Sequence, residues 1–345
     1  MATLPLTPPL APMLARLADD VPEGPEWIYE PKWDGFRALV FRNEDEVDVR
    51  SRDDRGFVRY FPELTGLLSD RLPTGCIVDA EIVVSTGGGL DFDSLSLRIH
   101  PAESRVRHLA DALPAGVLAF DLLVVDGMDL SARPLSERLE RLRELAPLPA
   151  GPGELLDSLA TEPSQLLLTP QTDDAGAARA WTVDYEDRGL DGVVAKRLDR
   201  PYLFGKRDMV KVKRQRTADC VVGGYRLAKG GAGVGSLLLG LYDDAGILQY
   251  VGHTSGLKAG ERGEVLDRLR PLEGGSSFGG GRTPGGVSRW TGGRDPSWVA
   301  LEPRFVVEVR FDRMMGGRFR HAVGLARWRT DKRPEECTFE QVGAS

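Results

Sequence analysis

Residues 27–42 read WIYEPKWDGFRALVFR. Apolar and polar side chains alternate up to Trp33, an Asp-Gly pair interrupts, and a second apolar run follows. Alternation has the period of a strand and Asp-Gly suits a tight reversal, so the stretch reads as strand, short loop, strand. Lys32 sits beside the loop. Of the 45 Lys+Arg residues only eight are lysine, and Lys32 is the sole lysine before position 196. Arginine stays protonated at neutral pH, whereas lysine can lose its proton and act as a nucleophile. A solitary lysine in an arginine-dominated half is a candidate for covalent chemistry.

The same texture continues outward. VDVRSRDDRG is a strand ending in a polar turn, and YFPELTGLLSDRL an amphipathic helix. GCIVDAEIVV is a β-branched strand carrying two carboxylates. GVLAFDLLVVDGMDL is a strand closing at a turn, with the helix PLSERLERLRELA behind it. Residues 174–189 form a further helix ending at Gly189. DGVVAKRL and MVKVKRQ are strands, and alternation places Lys211 and Lys213 on one face of the second. From Thr217 five short strands (DCVVGGYRL, SLLLGLYD, ILQYVGHT, FVVEVRFDRM, HAVGLARWR) surround one helix, ERGEVLDRLRPL, as in a small β-barrel of the OB type. The glycine-dense stretch 274–296, with Arg282, Arg289 and Arg294, reads as a long loop.

A chain of 345 residues, 41% hydrophobic, has material for two domains with their own cores. It contains no apolar run of about 20 residues, so no membrane-spanning helix is expected. The N-terminus lacks the features of a signal peptide. Three scattered cysteines, with no CxxC pair, exclude a disulfide framework and a Cys-rich zinc site and point to a reducing cytoplasm. The net charge of −7 conceals an asymmetry. Residues 1–202 carry 21 basic against 36 acidic residues (−15), and residues 203–345 carry 24 against 16 (+8). A basic C-terminal half is compatible with a polyanionic partner.

From Lys32 the chain reads KWDGFR, which resembles the KxDGxR signature of covalent nucleotidyltransferases: ATP-dependent DNA ligases, RNA ligases and mRNA capping enzymes. SRDDR (51–55), DAEIV (79–83), AFDLL (119–123), DGVVAK (191–196), VKVK (210–213) and RWRTDK (327–332) resemble the further motifs of that superfamily, in its order. The likeness spans both halves and is greatest to small two-domain bacterial ATP-dependent DNA ligases of the ligase C type and to the ligase domain of bacterial end-joining ligases. It implies an α+β architecture. Residues 1–215 would form a nucleotidyltransferase (adenylation) domain of antiparallel sheets with flanking helices, and 216–345 an OB-fold β-barrel.

The resemblance implies that Lys32 attacks the α-phosphate of ATP, with Mg²⁺ or Mn²⁺ as cofactor, to form lysyl-AMP. For this the amine must be neutral, and the charges of Lys211, Lys213, Arg37 and the metal are expected to depress its pKa. Further roles are implied: Glu81 at the ribose or the metal, Asp191 at the metal, Glu30 at the adenine amino group, Phe120 and Val194 on the two faces of adenine, and Arg52 at the ribose and the nick. Arg329, Asp331 and Lys332 would orient pyrophosphate, and the second domain would swing about a hinge near Arg214 to Thr217. The family usually has Glu at position 191, so the shorter aspartate needs a shifted strand or a bridging water. Met209 stands where relatives often have Trp.

The implied partner is nicked duplex DNA, RNA-containing nicks included, in a repair role alongside a repair polymerase or end-joining proteins. A monomer is expected. An RNA ligase or capping-type enzyme is the alternative, and the Glu30 acceptor speaks against GTP.

Overall fold

Residues 4–44, 46–213, 216–228, 230–231, 233–279, 284 and 297–342 are described by the computed structural model. They fall into two units, Met1–Arg214 and Gln215–Ser345. In the first unit the strands are β1 (Leu14–Ala18), β2 (Trp27–Trp33), β3 (Phe36–Arg42), β4 (Val47–Ser51), β5 (Cys76–Thr86), β6 (Gly89–Leu90), β7 (Ala115–Val125), β8 (Met128–Asp129), β9 (Leu166–Leu168), β10 (Leu190–Arg197) and β11 (Arg207–Val212). The helices are α1 (Pro62–Arg71), α2 (Phe92–Leu97), α3 (Glu103–Ala112), α4 (Leu135–Leu142), α5 (Pro152–Thr161) and α6 (Ala175–Asp184).

Two sheets result. One has the order β1-β11-β10-β2, the other the order β4-β3-β5-β7-β8, with β6 on β5 and β9 on β7. Most pairs are antiparallel, but β1 runs parallel to β11. The Pro-rich lead-in was not read as containing a strand, because five residues with no clear alternation give little local signal. On the four-stranded sheet, Tyr29, Val193, Ala195 and Val210 point to one face and pack with Ala178 of α6. Period-two alternation then sends Glu30, Lys32, Val194, Lys196 and Lys211 to the other face. Behind the large sheet, Val40, Val78 and Val117 pack with Leu64 and Leu68 of α1 and Leu139 of α4. Met13, Leu39, Leu123 and Tyr202 form a separate cluster, with Val194 and Phe204 packed against it.

Two irregularities re-aim side chains. Ala80 is paired with Ala119 and Asp79 with Asp121, which leaves Phe120 as the extra residue of a bulge in β7. Likewise Trp33 pairs with Leu190 and Lys32 with Gly192, leaving Asp191 out of register. Bulges of this kind are commonly found where a strand presents a functional side chain. The one in β10 falls at Asp191. Gly192 there has φ of +144°, a conformation open to glycine and strained for other residues.

The second unit contains β12 (Arg216–Leu227), β13 (Val234–Tyr242), β14 (Leu248–Thr254), α7 (Arg262–Leu269), β15 (Val299–Ala300), β16 (Val306–Phe311), β17 (Met314–Met315), β18 (Arg318–Phe319) and β19 (Gly324–Arg329). Its main sheet has the order β14-β13-β12-β16-β19. Leu237, Leu239 and Val307 pack there with Val265, Leu266 and Leu269 of α7. The five strands and one helix are those of an OB-like domain. Among the described residues no pairing joins β14 to β19. The loop arginines Arg282, Arg289 and Arg294 lie outside the described residues, as do hinge positions Arg214 and Gln215. Among the described residues no helix is long and apolar enough to cross a membrane. Cys76, Cys220 and Cys337 are free and buried.

Candidate active site

Lys32 Nζ lies 2.6 Å from Asp191 Oδ2, and Lys213 Nζ lies 2.8 Å from the same oxygen. Both lysines are about three-quarters buried by side chain, so these are partly desolvated ion pairs rather than surface contacts. Burial alone lowers the basicity of the Lys32 amine. The Asp191 carboxylate, helped by Glu81 and Asp34, outweighs that effect and carries its pKa above the ordinary lysine value. Burial raises the Asp191 pKa, but Lys32 and Lys213 reverse this and hold it below the ordinary carboxylate value.

The depressed lysine pKa expected from the sequence is therefore corrected. With the protein's own side chains alone the Asp191 carboxylate, 2.6 Å from the amine, decides the direction. Lys211, half-buried on the same strand face, does shift downward, through burial and the charges of Lys32 and Lys213. Arg37, counted among those neighbours, is engaged elsewhere. It makes a bidentate pair with Asp79 (3.0 and 2.6 Å), and Asp79 also accepts from the Tyr202 hydroxyl at 2.5 Å.

Glu81 pairs with Arg37 across β5 and β3. Burial pushes its carboxyl up to about 7, against the pull of Lys32 and Arg37. The described residues contain no cluster of three His, Cys, Asp or Glu side chains suited to a metal. Two carboxylates, Asp191 and Glu81, remain as hard oxygen donors. This number fits Mg²⁺, which commonly takes one or two protein carboxylates and completes its shell with water and substrate phosphate.

Phe120, aimed by its bulge, is partly exposed. Lys196 Nζ lies 4.5 Å from its ring centroid and Arg37 Cζ 5.4 Å. Glu30 is buried, with Oε2 2.6 Å from Lys196 Nζ and Oε1 accepting from Gln171 Nε2 at 2.9 Å. Lys196 also donates to the Phe120 carbonyl at 2.9 Å. Lys196 and Gln171 were not singled out from the sequence. Lysine scarcity marks Lys196, which is only the second lysine of the chain. Gln171 carries no such sign.

Arg52 lies in the exposed turn after β4, 3.7 Å from Asp53. In the second unit Arg329 bridges two carboxylates, Asp219 at 2.8 Å and Asp331 at 2.8 Å, and Lys332 reaches Asp219 at 3.0 Å. Asp219, at the start of β12, is a further residue that reading the motif alone missed. Gln341 brackets its backbone, accepting from the Asp219 N–H and donating to its carbonyl.

Lys32, two further lysines on one sheet face, a re-aimed aromatic and two partly buried carboxylates make up the candidate site. Family models for the ATP dependent DNA ligase domain and the ATP dependent DNA ligase C terminal region match residues 9–213 and 230–332. The chain belongs to the ATP-dependent DNA ligases. It is 45% identical to DNA ligase C of Mycobacterium tuberculosis (strain ATCC 25618 / H37Rv), over 98% of this chain and 95% of that protein. It is 44% identical to DNA ligase C1 of Mycolicibacterium smegmatis, with 98% and 95% covered. A solved Lig E DNA ligase shares the fold, with TM-score 0.56 at 18% identity, covering 92% of this chain and 99% of the other.

Proposed function

We propose that this enzyme seals 5′-phosphate/3′-hydroxyl nicks in duplex DNA, in a repair role, through an adenylate carried on Lys32. The observation that carries the reading is the Lys32–Asp191–Lys213 ion cluster, with Lys211 alongside it. Lys32 must first give up its proton, and the charges of Lys211, Lys213 and a bound divalent ion would favour that loss. The neutral amine then attacks the α-phosphorus of ATP, a P–N bond forms, and the bond to the β-phosphate oxygen breaks to release pyrophosphate. Lys211 and Lys213 neutralise charge on the transferring phosphoryl group, where positioning and electrostatics supply most of the rate. Asp191 and Glu81 would hold a divalent ion, which supplies further neutralisation of the phosphates when bound.

Phe120 and Val194 sandwich the base over Glu30. Arg52 addresses the ribose and the nick. Arg329 and Lys332, held by Asp219 and Asp331, orient the pyrophosphate. AMP then passes to the 5′-phosphate of the nick, and the 3′-hydroxyl displaces it. The basic second unit tracks the DNA backbone, so binding weakens as salt rises.

The test is to incubate the protein with α-labelled ATP and a divalent ion, then chase with nicked duplex. Label is expected on Lys32, then on the DNA, and none on Lys32→Ala. A wild-type protein that takes no label would overturn the reading.

A further inference from the structure

The floor of the cleft holds a chain of donors and acceptors that runs to the surface. Arg143, exposed at the end of α4, donates to Gln171 Oε1 at 2.7 Å. Gln171 Nε2 donates to Glu30 Oε1 at 2.9 Å, and Glu30 Oε2 faces Lys196 at 2.6 Å. The Gln171 amide thus has its oxygen and its nitrogen each committed, which fixes its orientation. Its backbone is anchored as well. The next residue, Thr172, exchanges two hydrogen bonds with Tyr29, the residue before Glu30, at 2.8 and 3.0 Å. The loop after β9 and the strand carrying Glu30 are therefore locked in register at the point where the side chains meet.

Each partner is left with a specific remaining capacity. A carboxylate accepts at about four positions and an ammonium donates three protons. Glu30 has received two donors, and Lys196 has directed two protons, to Glu30 and to the Phe120 carbonyl. Acceptor capacity on Glu30 remains beside the Lys196 ammonium, whose Nζ lies 4.5 Å from the centroid of the partly exposed Phe120 ring. Adenine presents a donor amino group beside the acceptor N1. Guanine presents an acceptor O6 beside the donor N1–H. The floor complements the first edge and opposes the second, but only while Glu30 accepts. Burial raises the Glu30 pKa, and the hydrogen bonds from Lys196 and Gln171 act against that rise. A protonated Glu30 could donate to O6 and would serve guanine instead.

We propose that Gln171, braced by Arg143, is a positioning residue that sets nucleotide choice, by holding Glu30 as an acceptor beside Lys196 so that the cleft takes adenine and refuses guanine. This rests on the nucleotidyl-transfer reading above, and supplies the residue that enforces the base preference. Gln171 touches Glu30 rather than the reacting atoms, so its removal changes selectivity more than chemistry.

The test compares covalent labelling of wild-type protein and Gln171→Leu by α-labelled ATP and by α-labelled GTP, each over a range of concentrations. Leucine keeps the bulk and removes the donor. The ATP-to-GTP labelling ratio is expected to fall at least tenfold. The loss should appear mainly as a raised KM for ATP, with kcat for self-adenylation within about threefold of wild type. Arg143→Ala, at an exposed position, keeps the Gln171 donor but frees its amide, and should lower the ratio by about threefold. An unchanged ratio in folded Gln171→Leu, or equal loss of both labels, overturns the proposal. Should Gln171→Leu not fold, an unchanged ratio in Arg143→Ala overturns it. Wild-type protein inert toward ATP would instead sink the underlying function, a result distinct from either.

Discussion

Replacing Arg138 with methionine isolates the energetics of the ionic layer beneath the cleft. The Arg138 and Asp121 side chains are 0% and 1% exposed, and they form a bidentate pair at 2.7 and 2.9 Å. Arg138 also donates to the carbonyls of Arg133 at 2.6 Å and Arg200 at 3.2 Å. Methionine fills much of the volume but leaves the Asp121 carboxylate buried without its cation. Breaking a buried pair from one side typically costs about 3–5 kcal/mol. For a unit of about 200 residues this corresponds to a fall in Tm of about 6–20 °C. The double variant Arg138→Met/Asp121→Leu removes the orphan charge and leaves only the two carbonyls and the Leu122 N–H short of partners, so its loss should be about 1–3 kcal/mol. Thermal unfolding followed by calorimetry on wild type, both single variants and the double variant provides the cycle. The reasoning fails if Arg138→Met loses less than about 1 kcal/mol, or if the double variant is less stable than the single.

Other expectations follow from the same contacts. Arg329→Ala should abolish self-adenylation yet spare sealing of pre-adenylated nicks, and Asp219→Asn should weaken the first step in the same selective way. Loss of both steps in either variant would remove the pyrophosphate role. Gly192→Ala should cost about 1–3 kcal/mol from backbone strain alone, since its φ is +144° and an added Cβ would also meet Lys213 Cα at 3.0 Å. Slower adenylation should accompany it, measurable as a rate of label uptake. Asp91 caps α2, accepting from the Ser94 N–H at 3.0 Å and the Ser94 hydroxyl at 2.7 Å. Burial raises its pKa, but these bonds and that from Thr86 outweigh it and place it below the ordinary 3.8. Asp91→Ala should therefore cost about 1 kcal/mol at neutral pH. The cap's contribution is complete above the unfolded-state pKa and disappears as pH falls through the lower folded-state value. Denaturation of both proteins at pH 7 and pH 2 checks this. A gap that persists undiminished at pH 2 contradicts it.

Much of the site was legible because its chemistry is written in short local runs. KWDGFR, DAEIV, DGVVAK and VKVK each fall on one strand or one strand-loop, where alternation alone says which side chains share a face. What escaped has partners far away in the chain. Gln171 acts on Glu30, Asp219 on Arg329 and Lys332, and Tyr202 on Asp79, and none of these pairs leaves a local pattern. The bulges at Phe120 and Asp191 were hidden for a related reason. A bulge is a property of two strands in register, and neither strand shows it alone. The misjudged Lys32 charge had a different origin: residue types were known, but the nearest neighbour was not. Among the charges close to one amine, a carboxylate at 2.6 Å decides the sign.

The strand that bears Lys32 has β10 as its strand partner, and β1 waits for β11, the last strand of its unit. A ribosome must therefore deliver nearly the whole first unit before the nucleophile has a wall to stand on. A chain halted anywhere short of Asp191 carries the reactive lysine but neither its counter-ion nor the two companion lysines. Truncated products of translation would lack the ion cluster around Lys32, which can assemble only after residues 191–213 have been made.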